Sequence, residues 1–315
     1  MLNVSRSQPE AGNALQASLR LAATMNVHHI QQQQRTSHAH SCLLPVIIRI
    51  EVPMISPEVQ AIVLERLRQL EVEEGVRILL AVESGSRAWG FPSQDSDHDV
   101  RFIYILPTDW YLSYRLENKP DTIERPIVDD FDCAGWDIRK AMKLFLKSNP
   151  PLFEWLDSSL IYLDRFGFAA RMSDLRQEFF SAPACAYHYL HMAQGNYRSH
   201  LQGESVWLKK YFYVLRPLLA VRWIEQERGA VPMAFHELLV TIAGQTALLE
   251  DIQALLQRKM AGDELAEGPA IPSLQSFLSS ELKRLEHWQP TVSRQKNDTE
   301  QLDQLFREML KTVWV

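Results

Sequence analysis

Cysteine is scarce in this 315-residue chain: Cys42, Cys133 and Cys185 stand far apart with no paired spacing. That excludes a disulfide framework and a zinc knuckle, and it makes a reducing, cytoplasmic compartment the default expectation. Basic charge is also short. With 33 Lys and Arg against 39 Asp and Glu the net charge is -6, which argues against a protein that coats nucleic acid non-specifically but leaves room for a local basic groove. Long apolar runs are missing too. The longest candidate, "LLPVIIRI" at 43–50, is short and ends in a charge, whereas a bilayer span needs about 20 residues. No internal repeat is visible, and the length allows about two domains.

Residues 1–53 lack both helical periodicity and acids, Glu10 being the only one before Glu51. With "QQQQRTSHAHS" inside them they read as a disordered extension. Low acid content and scattered Arg resemble a transit peptide; the simpler expectation is that Met54 is the true start. The pairs at His28, His29 and His38, His40 are expected to chelate metal only adventitiously.

From Ser56 the sequence becomes periodic. "SPEVQAIVLERLRQLEVEEG" has an N-cap serine, a first-turn proline, apolar residues at helical spacing and a closing glycine, and so predicts a helix. "VRILLAV" at 76–82 and "DVRFIYIL" at 99–106 predict buried strands, and "PIVDDFDC" at 126–133 a third. A helix follows at 138 and stops at Asn149-Pro150. Beyond about 165 the texture is wholly helical, with segments near 171–180, 184–198, 204–227, 234–261, 273–286 and 299–313. "GDELAEGPAIP" and "QPTVSRQKND" read as linkers.

Chemistry concentrates in "ESGSRAWGFPSQDSDHDV", residues 83–100. If the second strand begins near its end, Asp97 and Asp99 share one face while His98, Val100, Phe102 and Tyr104 share the other. Two carboxylates so close repel unless a cation lies between them. A hard divalent ion such as Mg2+, which takes oxygen ligands, meets that need. Directly after the first strand, Gly85 supplies a tight turn, Ser86 a hydroxyl donor, and the backbone exposed amides, a combination suited to a polyphosphate.

The arrangement strand, Gly-Ser, variable loop, Asp-x-Asp resembles the nucleotidyltransferase superfamily that includes DNA polymerase beta. The stretches "ESGSRAWGFPSQDSDHDVRFIY", "GWDIRKAMKLFLKSNPPLFEWLDSSLIY" and "LKKYFYVLRPLLAVRWIE" are similar to the RlaP family of predicted nucleotidyltransferases, associated with RNA ligase in RNA repair. The resemblance covers roughly residues 54–313. It implies an α+β protein: a small mixed-sheet nucleotidyltransferase domain at 54–165, then an all-α helical domain at 166–315. It implies that Asp97 and Asp99 bind the metals, that Gly85 and Ser86 hold the triphosphate, and that a third carboxylate stands on a neighbouring strand. Asp129, Asp130 and Asp132 compete for that place. Phe131 and Cys133 are expected to pack inward, leaving Asp130 and Asp132 on the other face, and Asp132 is favoured. Asp137 reads as the cap of the next helix.

The implied reaction moves a nucleoside monophosphate from an NTP to a hydroxyl, with two Mg2+ ions (or Mn2+) and an RNA end as acceptor. The alternatives are transfer to a small molecule or protein side chain, and a nucleotide-binding regulator without catalysis. Arg87 is a candidate phosphate ligand. Arg101 shares the face of Asp97 and Asp99, so it suits either phosphate or an ion pair. In "VWLKKYFYVLRPLLAVRWIEQER", Lys209, Tyr213 and Arg216 fall on one helical stripe; Lys210 and Tyr213 are the expected nucleotide contacts there. His188 and His191 have helical spacing but no third ligand, so packing is expected. Trp89, inside the phosphate turn, is the tryptophan most worth following.

Overall fold

The computed structural model describes residues 54–263, 265–288 and 299–314; expectations placed on residues 1–53 and on the 289–298 linker lie outside them. Helix α1 (Pro57–Glu74) starts where Ser56 accepts the Val59 N–H at 3.2 Å and ends at Gly75, whose φ of 64° is the left-handed geometry glycine adopts without strain. Five strands follow: β1 (Arg77–Glu83), β2 (His98–Ile105), β3 (Thr122–Val128), β4 (Phe131–Asp137) and β5 (Ile161–Asp164). They form one mixed sheet in the order β3-β4-β2-β1-β5. The β2–β4 pair is parallel, whereas β1 runs antiparallel to β2 and β5, and β3 antiparallel to β4.

The strand expected at 126–133 is instead the middle of a hairpin. Asp129 and Asp130 have φ of 48° and 62°, the geometry of a tight turn whose two central residues are both left-handed, which Asp tolerates. β4 then continues through "AGW", whose Ala134 and Gly135 carry little strand signal of their own. Gly135 is required there, because a Cβ would lie 2.1 Å from Cε2 of Phe102 on β2.

Alternation along β2 sorts the two faces. Val100, Phe102 and Tyr104 pack under α1 against Val63, Leu67 and Leu70. Ile103 and Ile105 face the other way, where α3 (Ile138–Leu146) contributes Ile138, Ala141, Met142 and Phe145. On that side Trp136 of β4 stacks on Trp155 of α4 (Pro150–Leu156) at 3.8 Å. The same core includes Leu302, Leu305 and Met309 of the terminal helix, Glu300–Val313.

A second core belongs to α5 (Ala182–His200), α6 (Lys210–Glu225), α7 (Thr246–Met260) and α8 (Pro272–Leu285). α6 is buried on nearly every side, with Arg216 and Pro217 among its buried residues. Two expected helices are interrupted. Residues Ser205–Trp207 form β6, which pairs with β7 (Glu267–Pro269) inside the expected linker, and 234–261 divides into short turns before α7 begins at Thr246. The loop after β1 ties the cores together: Phe91 lies 4.8 Å from the Phe212 ring and 5.5 Å from Phe235, and Phe235 N–H bonds the Trp89 carbonyl at 2.9 Å. No helix among the described residues is long and apolar enough to cross a membrane.

Candidate active site

Where β2 and β4 begin, the parallel register sets Asp99 opposite Asp132. Arg101, on the same face, bridges them: its Nη2 lies 3.0 Å from Asp99 Oδ1 and 2.7 Å from Asp132 Oδ2, and Nη1 donates to the Asp132 carbonyl at 2.9 Å. Burial pushes the Asp99 carboxyl above the usual carboxylate range; Arg101 opposes that, while Glu83, Asp132 and Asp97 add to it. Negative charge is therefore crowded here beyond what one guanidinium balances.

The end of β1 fixes Asp99. Glu83 Oε1 accepts the Asp99 N–H at 2.7 Å, and Ser84 N–H donates to the Asp99 carbonyl at 2.9 Å. Glu83 is 1% exposed and also takes the Tyr162 hydroxyl and, at 3.0 Å, His98 Nδ1. His98 stacks on Phe131 at 5.0 Å, on the face of the sheet away from Asp99. Gly85 opens α2 (Gly85–Ala88) at φ 59°, and a Cβ there would lie 1.9 Å from Asp99 Oδ2. Only glycine lets the turn come this close to the carboxylate. The first N–H groups of a helical turn have no intrahelical partner, so those of Gly85 and Ser86 open beside Asp99.

Asp97 stands just before β2, exposed, with no hydrogen bond or ion pair to its carboxylate among the described residues. Asp129 and Asp130 occupy the exposed hairpin turn, Asp129 paired with Arg66 at 2.8 Å. Asp137 lies at the far end of β4. It caps α3 through the Arg139 N–H at 3.0 Å and accepts the Tyr111 hydroxyl at 2.5 Å. Of the competing acids, Asp132 is the one brought beside Asp99. Among the described residues no three Asp, Glu, His or Cys side chains are gathered to hold a metal ion; Arg101 occupies the space between the two that face each other.

The expected connector from Arg87 to Ser96 is more than a spacer. Arg87 donates to the carbonyls of Ser96 at 2.6 Å and Asp97 at 3.2 Å, bracing the loop that delivers Asp97. From α7, Lys259 reaches the hydroxyls of Ser93 at 2.7 Å and Ser96 at 3.4 Å. Burial holds its ammonium below the usual lysine range and Lys209 adds to this, while Asp97 and Asp95 oppose it.

α6 brings Tyr213 and Lys210 to the same corner. The Tyr213 ring meets Trp89 edge-on at 5.4 Å, and Lys210 Nζ sits 4.6 Å from the Tyr213 centroid. Burial pushes the Tyr213 phenol up and the nearby Asp99 charge adds to it. One turn on, the Arg216 guanidinium lies over the Trp89 ring, 5.0 Å from its centroid, and pairs with Glu154 at 2.6 Å. His188 and His191 lie apart, on α5.

Sequence reasoning missed Glu83, Tyr162 and Lys259. Glu83 had a visible signal, a lone carboxylate ending the apolar run "RILLAVE". Lys259 had none, since its partners are 163 and more residues away.

Comparison with known proteins then gives the family. A protein of Bacillus subtilis strain 168 described only as the uncharacterized protein YcgL is 44% identical over 253 residues, 80% of this chain and 96% of its own length. A crystal structure of a nucleotidyltransferase-like protein from Exiguobacterium sibiricum covers 78% of this chain and 79% of its own at 14% identity, but a TM-score of 0.29 is too low to argue from. Residues 59–308 match the family described as RlaP, the RNA repair pathway DNA polymerase beta family. With that span and that degree of identity, the chain belongs to the RlaP family and is a nucleotidyltransferase.

Proposed function

We propose that the protein transfers a nucleoside monophosphate from a nucleoside triphosphate to a hydroxyl on an RNA end, with Mg2+ or Mn2+ bound at Asp97, Asp99 and Asp132. The observation that carries this reading is the Asp99–Arg101–Asp132 bridge. Two carboxylates face each other in register and share a single guanidinium, which leaves negative charge in excess, while Asp99 is held above its ordinary pKa by burial and neighbouring acids. All the donors are hard oxygens, which suit a divalent ion of the Mg2+ type. The residues therefore fit such an ion, provided Arg101 withdraws and Asp97 turns in from its exposed position.

Bound there, the ion would stabilise charge on the transferring phosphorus and on the departing pyrophosphate. The chain's own residues do the rest. The acceptor hydroxyl gives its proton to water as its oxygen bonds the α-phosphorus and the bond to pyrophosphate breaks, and the leaving oxygens need donors in place beforehand. The Gly85 and Ser86 N–H groups and the Ser86 hydroxyl supply them. Lys210 adds a positive charge, Tyr213 and Trp89 present aromatic surface for a base, and an Arg101 displaced from the carboxylates becomes a phosphate ligand. Arg87 and Lys259 act at one remove, by holding the loop that ends in Asp97.

Incubation with each α-labelled NTP and Mg2+, followed by separate recovery of RNA, protein and small molecules, tests both chemistry and acceptor. Label in RNA supports the reading; label in protein or metabolites moves the acceptor. Wild-type activity in Asp97→Ala and Asp99→Ala, with circular dichroism unchanged, would sink the assignment.

A further inference from the structure

The charge on this acidic chain is unevenly placed. From Ile138 to Phe153 there are four Lys and Arg and no Asp or Glu; from Phe179 to Gly203 there is again no acid, with Arg198, His188, His191 and His200. The fold joins these two stretches. Ser181 N–H donates to Ser148 Oγ at 2.8 Å. Two acid-free stretches of chain thus meet where the end of α3 adjoins the start of α5.

On α3 the buried positions are Ile138, Ala141, Met142 and Phe145, so Arg139, Lys143 and Lys147 fall on the outer face at a spacing of four. They succeed one another by about 6 Å along the axis, comparable to successive phosphates on an extended strand. None of the three side chains makes an ion pair among the described residues. Lys140, off this stripe, is engaged instead by Asp121 and Thr122. On α5 Tyr187 is 48% exposed and meets His191 edge-on at 4.3 Å, an aromatic pair on the helix whose start adjoins the end of α3.

Position favours the same use. β4 leads away from Asp132 for about 17 Å, and Asp137 at its end caps α3, which packs on that sheet through Ile138, Ala141, Met142 and Phe145. The chain is back at the sheet end that carries Asp99 and Asp132 by Ser158, whose Oγ donates to the Glu83 carbonyl at 3.1 Å, so the stripe lies on the stretch between the two ends of the sheet. We infer that Arg139, Lys143, Lys147 and Tyr187 form a track for single-stranded RNA, cations on the phosphates and the tyrosine under a base, leading the acceptor end toward the carboxylates. This rests on the RNA-end reading of the proposed function.

The test is fluorescence anisotropy of a labelled 12-nucleotide oligo(U) RNA with the full-length protein across a salt series. Lys143→Glu with Lys147→Glu should weaken binding about tenfold and reduce the log–log salt slope by about 1.4. A control pair on other helices, Lys283→Glu with Lys311→Glu, should change affinity less than twofold. Tyr187→Ala should weaken binding severalfold at unchanged slope. RNA binding that is absent from the wild type, indifferent to the stripe, equally reduced by the control pair, or matched by duplex DNA overturns the track. Pyrophosphate release from NTP is read in parallel: stripe-dependent RNA binding without any such release leaves the track standing and removes the proposed function.

Discussion

Asp99 and Asp132 stand opposite each other on parallel strands and share one guanidinium, that of Arg101. The shared cation is an internal competitor for the divalent ion. Arg101→Gln should therefore bind Mn2+ several times more tightly, measured by titration calorimetry. Without metal it should melt at lower temperature, because two part-buried carboxylates lose the charge that bridges them. Weaker Mn2+ binding in this variant would show that Arg101 supports the metal site rather than competing for it.

Gly85 brings the turn against the Asp99 carboxylate. Gly85→Ala adds a Cβ 1.9 Å from Asp99 Oδ2 at a positive φ. The expected result is a loss of about 1–3 kcal/mol in stability from the strained backbone alone, and a fall of nucleotide transfer beyond what the unfolded fraction explains. Ser86→Ala, which leaves the backbone unaltered, should keep the stability and raise KM for the nucleotide.

Lys259 holds the Asp97 loop from the helical half. Removing it in Lys259→Met leaves the Ser93 and Ser96 hydroxyls without their ammonium partner, at a cost of about 1–3 kcal/mol. Hydrogen exchange should rise at 93–97 while β1 and β2 stay protected. A uniform rise across the sheet would mean that the lysine stabilises the whole protein and not the loop.

Cys185 is 3% exposed, and burial pushes its thiol up to about 12. At pH 8 about one molecule in ten thousand would carry the thiolate. Iodoacetamide at that pH should leave Cys185 unmodified in the folded protein and alkylate it in denaturant, read by peptide mass spectrometry.

How far the sequence reaches can be judged residue by residue. Period-2 alternation correctly separated Asp99 and Arg101 from His98, Val100 and Phe102, because one buried face on each side of β2 enforces the register. The Gly-Ser turn was legible for a local reason: few residues other than glycine suit that backbone. The hairpin at Asp129–Asp130 was hidden by acids that read as part of a strand, and β4 by an Ala-Gly pair chosen for packing under Phe102. Lys259 and the anchoring of Phe91 in the helical core depend on contacts across more than a hundred residues, which no local pattern announces. The acids left open at the hairpin were separated only by the β2–β4 pairing.

The most direct test of the Asp99–Asp132 centre is Mg2+-dependent pyrophosphate release from the four NTPs, comparing Asp132→Asn with Asp130→Asn. Loss of the residue facing Asp99 should slow release by about 100-fold or more, while the hairpin-turn variant keeps the wild-type rate. Release at the wild-type rate in Asp132→Asn, or an equal fall in both variants, would contradict the account.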